Sequence, residues 1–208
     1  MIPPTKKGIE ISVTYLVIII VTILLFALSL YFLGIIGQGI QTISGELDQR
    51  TADQIEHLVR SENAIVALPF SVKETDLGDF AVFGIGIRNI GDTTDFAVKV
   101  TFQGAYLPDG RELLTADPAH IMQEWIGTSA TSEPISIARE TYEPYAITLR
   151  ADSRISTQHD TVPADYAFNV CVYQPSRGEP SCTIDSISTE SSILYPPGKI
   201  YTATVRVR

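Results

Sequence analysis

Two cysteines and three histidines are the residues of this chain best suited to covalent, metal or proton chemistry. Cys171 and Cys182 bracket Pro175, Gly178 and Pro180 in "CVYQPSRGEPSC", a turn-rich run that can bring the two sulfurs together. A bridge across a loop of that size stabilises a fold by roughly 3 kcal/mol on the chain-entropy model. In the strand expected over Tyr166 to Tyr173, Cys171 shares the face of Asn169, away from the core. A surface disulfide closing a hairpin is the expectation. Zinc fits poorly, because a structural site wants four ligands and no histidine lies near either cysteine in sequence.

His57, His120 and His159 belong to no Gly-x-Ser-x-Gly, His-Glu-x-x-His or Cys-His pattern and read as surface residues. "GDTTD", Gly91 to Asp95, holds two carboxylates in one turn without the spacing of a calcium loop, so it reads as a solvated hairpin turn. With no phosphate-cradling glycine loop and no acid and base that can be paired, the expectation is no catalytic residue, no metal and no cofactor, hence not an enzyme. Ile121, Met122, Trp125 and Ile126 form an apolar patch that reads as a plug for the open end of a sandwich, or as a partner site if exposed.

The elements that position these residues change character along the chain. From Ile11 to Gly45 there is no Asp, Glu, Lys, Arg or His, and Tyr15 to Gly37 is apolar except for Thr22 and Ser29. As a helix this stretch of about 23 residues rises roughly 34 Å, which predicts a transmembrane span and is too long for a cleaved secretory signal. Lys6 and Lys7 precede it, which predicts a cytoplasmic N-terminus and an outward remainder under the positive-inside rule. Ile40, Ile43, Leu47, Ile55, Leu58 and Val59 then continue as a helical stripe, a stalk with a bend near Gly37 to Gly45.

Beyond Asn63 the period becomes two. Phe83, Ile85 and Ile87 alternate with Gly84 and Gly86, and Phe96, Val98, Val100 and Phe102 alternate with Ala97, Lys99, Thr101 and Gln103. Tyr145 to Arg150, Tyr166 to Tyr173 and Tyr201 to Val207 repeat the pattern, with shorter candidates at Ile65 to Leu68 and Ile135 to Ala138. Ala105 to Glu133 reads as loop with a short helix from Pro118 to Trp125. About seven strands between Gly, Pro and Asp turns predict an all-β antiparallel sandwich. The net charge of −9 argues against nucleic acid as a partner.

Lys6-Lys7-Gly8, followed by Ile9-Glu10-Ile11-Ser12-Val13-Thr14-Tyr15-Leu16-Val17, resembles the class III signal peptide of archaeal type IV pilin-like proteins. The resemblance covers about the first 60 residues. It implies cleavage between Gly8 and Ile9 on the cytoplasmic side, a helix drawn from the bilayer into a filament core, and an outward β-rich domain. The sequence departs from that pattern where the family carries a glutamate five residues into the mature chain, since Val13 stands there and Glu10 is the sole nearby acid. "FGIGIRNIGDTTDFAVKVTF" and "YEPYAITLRADSRISTQHDTVPADYAFNVCVY" are similar to immunoglobulin-like adhesion modules of archaeal surface proteins, which bears on fold alone.

The expected organisation is a cytoplasmic basic N-terminus or leader over 1–10, a transmembrane helix over 11–37, an amphipathic stalk helix over 38–62 and an extracytoplasmic β-sandwich over 63–208. The fold class is thus a long N-terminal α-helix, transmembrane plus stalk, followed by an all-β antiparallel immunoglobulin-like sandwich. Function is expected to be non-enzymatic at the cell membrane, single-pass. Either the chain is a pilin-like filament or assembly subunit, or it is an anchored immunoglobulin-like binding module that is not polymerised. The partners that go with these readings are membrane lipid, copies of the chain or other pilin-like subunits, and a surface glycan or envelope protein.

Overall fold

Strand β3 (Phe80–Arg88) turns Phe83, Ile85 and Ile87 into the core with Gly84 and Gly86 on its other face, and the layers of the fold follow from that parity. The computed structural model describes residues 15–26, 49–126 and 130–208. By its contacts the chain divides into two units, residues 1–46 and 47–208. In the second unit β3 lies between β1 (Val66–Ala67) and β6 (Tyr142–Arg150) in an antiparallel three-stranded sheet. The second sheet has five strands in the order β2 (Val72–Thr75), β8 (Tyr201–Val207), β7 (Asp165–Tyr173), β4 (Thr94–Tyr106) and β5 (Ile135–Ile137). Four of these five pair antiparallel, with a register shift between Phe102 and Gly104, whereas β2 runs parallel to β8.

One apolar core fills the space between the sheets. Ile85, Ile147, Val98, Phe168 and Val205 represent β3, β6, β4, β7 and β8 in it. The alternation read from the sequence accounts for this inner face. It does not account for the outer faces, both of which are covered. Helix α2 (Gln49–Ser61) buries Thr51, Ile55 and Val59 along one stripe, and Ile55 and Val59 form a second apolar cluster with Ala67 beside the three-stranded sheet. Gly86 permits this approach, since a Cβ there would collide with Ile55 Cγ2. On the five-stranded sheet, Leu194 and the Cys171–Cys182 pair form a third cluster. That cover makes β7 buried on both faces, the pattern of a central layer.

The expected fold class is therefore corrected. The chain is not a long N-terminal helix followed by an all-β immunoglobulin-like sandwich. It is mixed α/β, with α2, α3 (Pro118–Ile121) and α4 (Ile187–Glu190) among the described residues beside two sheets. The physical reason is that a glycine face on β3 accepts the apolar stripe of α2, so the stripe belongs to the globular unit and does not form a free stalk. Part of the expected stalk, including Ile40, Ile43 and Leu47, lies outside the described residues, as does the bend near Gly37 to Gly45.

The membrane expectation is corrected as well. Among the described residues no helix is long and apolar enough to cross a membrane. The described helical stretch α1, residues 15–26, accounts for about 18 Å of rise. The transmembrane span over 11–37 and the single-pass placement, N-terminus cytoplasmic and C-terminal domain extracytoplasmic, are therefore not supported.

Candidate functional site

The cysteines form the expected disulfide, with Cα atoms 5.8 Å apart. Its location differs from the expectation. Cys171 does point away from the main core, but both cysteines are fully buried, because the loop between them and the segment up to Ile200 lie over the sheet. The Cys182 carbonyl accepts from Thr101 Oγ1 at 2.7 Å and Asn169 Nδ2 at 3.2 Å, which fixes the loop to β4 and β7. Lys99 and Glu179 add an ion pair at 2.7 Å, and the lysine holds the Glu179 carboxyl below its ordinary range. Burial would raise Glu190, yet the hydroxyls of Ser186 and Ser181 and the amides of Ser181 and Cys182 bring it below its ordinary value, with the Ser186 hydroxyl at 2.8 Å.

Ile121, Trp125 and Ile126 are buried and Met122 is half-buried, so the patch is a plug and offers no exposed partner surface. Pro118 to Ile126 is helical as expected near there, passing from α3 into a π-helical turn, Met122–Ile126. The Trp125 ring packs against Tyr166 at 4.5 Å, and its Nε1 donates to the Arg154 carbonyl at 3.1 Å. The leader residues Lys6, Lys7, Gly8, Ile9 and Glu10 lie outside the described residues.

The remaining titratable candidates do not converge. His57 is exposed beside Glu62 at 4.0 Å, and His159 Nδ1 meets Ser156 Oγ at 3.0 Å within one local turn. His120 carries a buried Nε2 without a hydrogen-bond partner. In the Gly91 to Asp95 turn, the organising side chain is the buried Asn89, which donates to the Asp92 and Ile137 carbonyls at 2.8 and 2.9 Å. Asp92 itself points to solvent. Among the described residues no group of three or more His, Cys, Asp or Glu side chains could hold a metal ion.

Two features outside these candidates carry more. The first is α1, whose large apolar side chains from Tyr15 to Phe26 are each 48% to 65% exposed. Thr22 Oγ1 donates to the Ile18 carbonyl at 2.7 Å, which satisfies its hydroxyl within the helix. The second is an open cleft of about 470 Å³ between the end of α2 and the turn before β6, lined by Val59, Arg60, Asn63, Arg88, Glu140, Thr141 and Tyr142. Arg88 donates from Nη1 to Asn63 Oδ1 at 3.1 Å and from Nη2 to Glu140 Oε2 at 2.9 Å. The Arg60 guanidinium lies 5.7 Å from the centre of the Tyr142 ring, and its Nε pairs with Glu56 at 3.0 Å. Sequence reading missed this cleft, because its residues come from three separated segments with no shared spacing.

No family model matches the chain, and no curated protein matches it. Solved structures give distant likenesses. One is the Pseudomonas fluorescens alkylpurine DNA glycosylase bound to DNA containing an abasic-site analogue, at 12% identity and TM-score 0.37 over 79% of this chain and 40% of that one. Another is a family 123 glycoside hydrolase from Clostridium perfringens, at 10% identity and TM-score 0.33 over 66% of this chain and 22% of that one. A third is a Niemann-Pick type C2 protein from the Japanese carpenter ant, at 7% identity and TM-score 0.34 over 70% of this chain and 90% of that one. The chain thus spans well under half the length of the first two, and likeness at this level carries no argument about activity.

Proposed function

We propose that the chain is a non-enzymatic assembly subunit of the pilin-like kind, joined to copies of itself through α1, with residues 47–208 as the displayed unit. The observation that carries this reading is the twelve-residue run of α1 in which every large side chain is apolar and about half exposed or more. A helix apolar on all sides is stable in water only when covered. Each Val, Ile, Leu or Phe covered there contributes about 1.5–3 kcal/mol. Copies of the same helix supply a matching apolar surface, and the Thr22 hydroxyl within it is satisfied internally. Removal of residues 1–8 after Gly8 is the processing that belongs to this reading, and nucleic acid is no partner.

The test is sedimentation and electron microscopy of the full chain beside Ile20→Asp, together with the intact mass of the chain isolated from its own cells. Elongated assemblies for the unaltered chain, monomers for the variant and a mature mass beginning at Ile9 are expected. A full chain that stays monomeric at about 100 μM, well above the micromolar range of a specific contact, overturns it.

A further inference from the structure

We propose that the cleft at Arg88 binds one pyranose unit of a neutral saccharide. The site is independent of α1 and belongs entirely to residues 47–208. It is an open cleft of about 470 Å³ with a mainly polar lining.

Charge balance selects the ligand class. Within the lining Arg88 pairs with Glu140 at 2.9 Å, and Arg60 pairs at 3.0 Å with Glu56, which lies one turn back on α2 outside the lining. An anion entering beside Arg88 meets Glu140, and a cation entering beside Glu140 meets Arg88, so neither gains much. Hydroxyls behave differently, because each both donates and accepts. Neighbouring hydroxyls on a sugar ring can accept from the guanidinium and donate to the carboxylate at the same moment. Arg88 commits two of its five N–H donors to Asn63 and Glu140, and the Glu140 side chain remains more than half exposed. The half-buried Tyr142 ring, which lies over the buried Val59 and beside the Arg60 guanidinium, is the aromatic surface the cleft offers to the C–H face of a pyranose.

A second observation is independent of composition. Asn63 has φ 54° and Glu140 φ 59°, both in the left-handed region that non-glycine residues rarely adopt. Both of these residues hold the same guanidinium. Asn63 takes this conformation as the residue that ends α2, with the Ala64 amide bonded to the Leu58 carbonyl at 3.1 Å, and Glu140 takes it in the turn that the Thr141 amide closes on the Ala138 carbonyl at 3.2 Å. The result here is an Arg88 whose planar fork is oriented before any ligand arrives, so little further side-chain entropy is lost on binding.

The test is saturation-transfer NMR of the full chain with the methyl glycosides of mannose, glucose and galactose, each up to about 20 mM, the range of a weak single site. Transfer to the ring C–H protons of at least one glycoside is expected, saturable, and weakened about tenfold or more in Glu140→Ala and Tyr142→Ala. Sodium sulfate and glucuronate at the same concentration should compete weakly or not at all. The melting temperature of each variant reports whether it folds, and a merely structural role for Arg88 would leave no saturable glycoside signal in the unaltered chain. Absence of transfer from all three glycosides, signals equal in the unaltered chain and both folded variants, or tighter binding of sulfate or glucuronate each overturns the proposal.

Discussion

Tyr166 combines full burial with a local hydrogen bond. Its hydroxyl donates to the Val162 carbonyl at 2.9 Å and accepts from the Val162 amide at 3.3 Å, so the turn before β7 is closed on the strand it precedes. Desolvation pushes its phenol up to about 12, partly offset by that backbone bond, and desolvation alone pushes Tyr201 up to about 12. The folded state thus binds these protons more tightly than the unfolded chain, in which tyrosines titrate near 10. A raised folded value gives stability that is complete below pH 10 and falls as pH rises toward 12. Alkaline unfolding followed by circular dichroism, with phenolate absorbance recorded in parallel, should show this loss across that window. Tyr166→Phe should lower stability at neutral pH by about 1 kcal/mol, through the lost hydrogen bond, and make the alkaline fall shallower. A profile for the variant parallel to that of the unaltered chain would show that Tyr166 is not the group responsible.

Between elements, the decisive contact is α2 against β3. Valine has a higher strand propensity than glycine, so Gly86→Val on an uncovered strand would be neutral or stabilising. With Ile55 against that position the same change overpacks the contact and should cost about 1–3 kcal/mol. Hydrogen exchange should accelerate along Gln49–Ser61 while β4, β7 and β8 keep their protection, and uniform acceleration would instead mean that α2 is integral to the main core. The same contact explains what was legible in the sequence. Period-two alternation located the inner faces of β3, β4, β6, β7 and β8, because burial on one side writes itself into every second residue. Gly84 and Gly86 were visible as a small-residue face, but nothing local states whether solvent or a helix lies over it. Strand β2 (Val72–Thr75) left no apolar alternation, since three of its four residues stay exposed or half-exposed and backbone pairing with β8 holds it. Cys171 was assigned to the correct face of β7, yet its burial depends on a cover that spans residues up to Ile200. The cleft was illegible for a similar reason, since Arg88 meets Asn63 and Glu140 across 25 and 52 residues of chain.

At the scale of the whole molecule, charge and apolarity are segregated. Lys6 and Lys7 balance Glu10 and Glu46, so the entire net charge of −9 falls on residues 47–208. That unit also holds every buried apolar residue recorded for the chain, whereas the described part of residues 1–46 is exposed. A unit with its own core folds by itself, and its net negative charge opposes self-association. Residues 47–208 expressed alone should therefore be a folded monomer at every salt concentration. In the full chain, attraction through α1 competes with repulsion between the acidic units, whose reach shrinks from about 30 Å at 0.01 M salt to about 10 Å at 0.1 M. Light scattering should accordingly show full-chain assembly growing as salt is raised across that range, while the 47–208 fragment shows none. Assembly by the fragment alone would place the contact on the globular unit, and full-chain assembly that weakens with salt would make the contact electrostatic, either of which removes α1 from its proposed role.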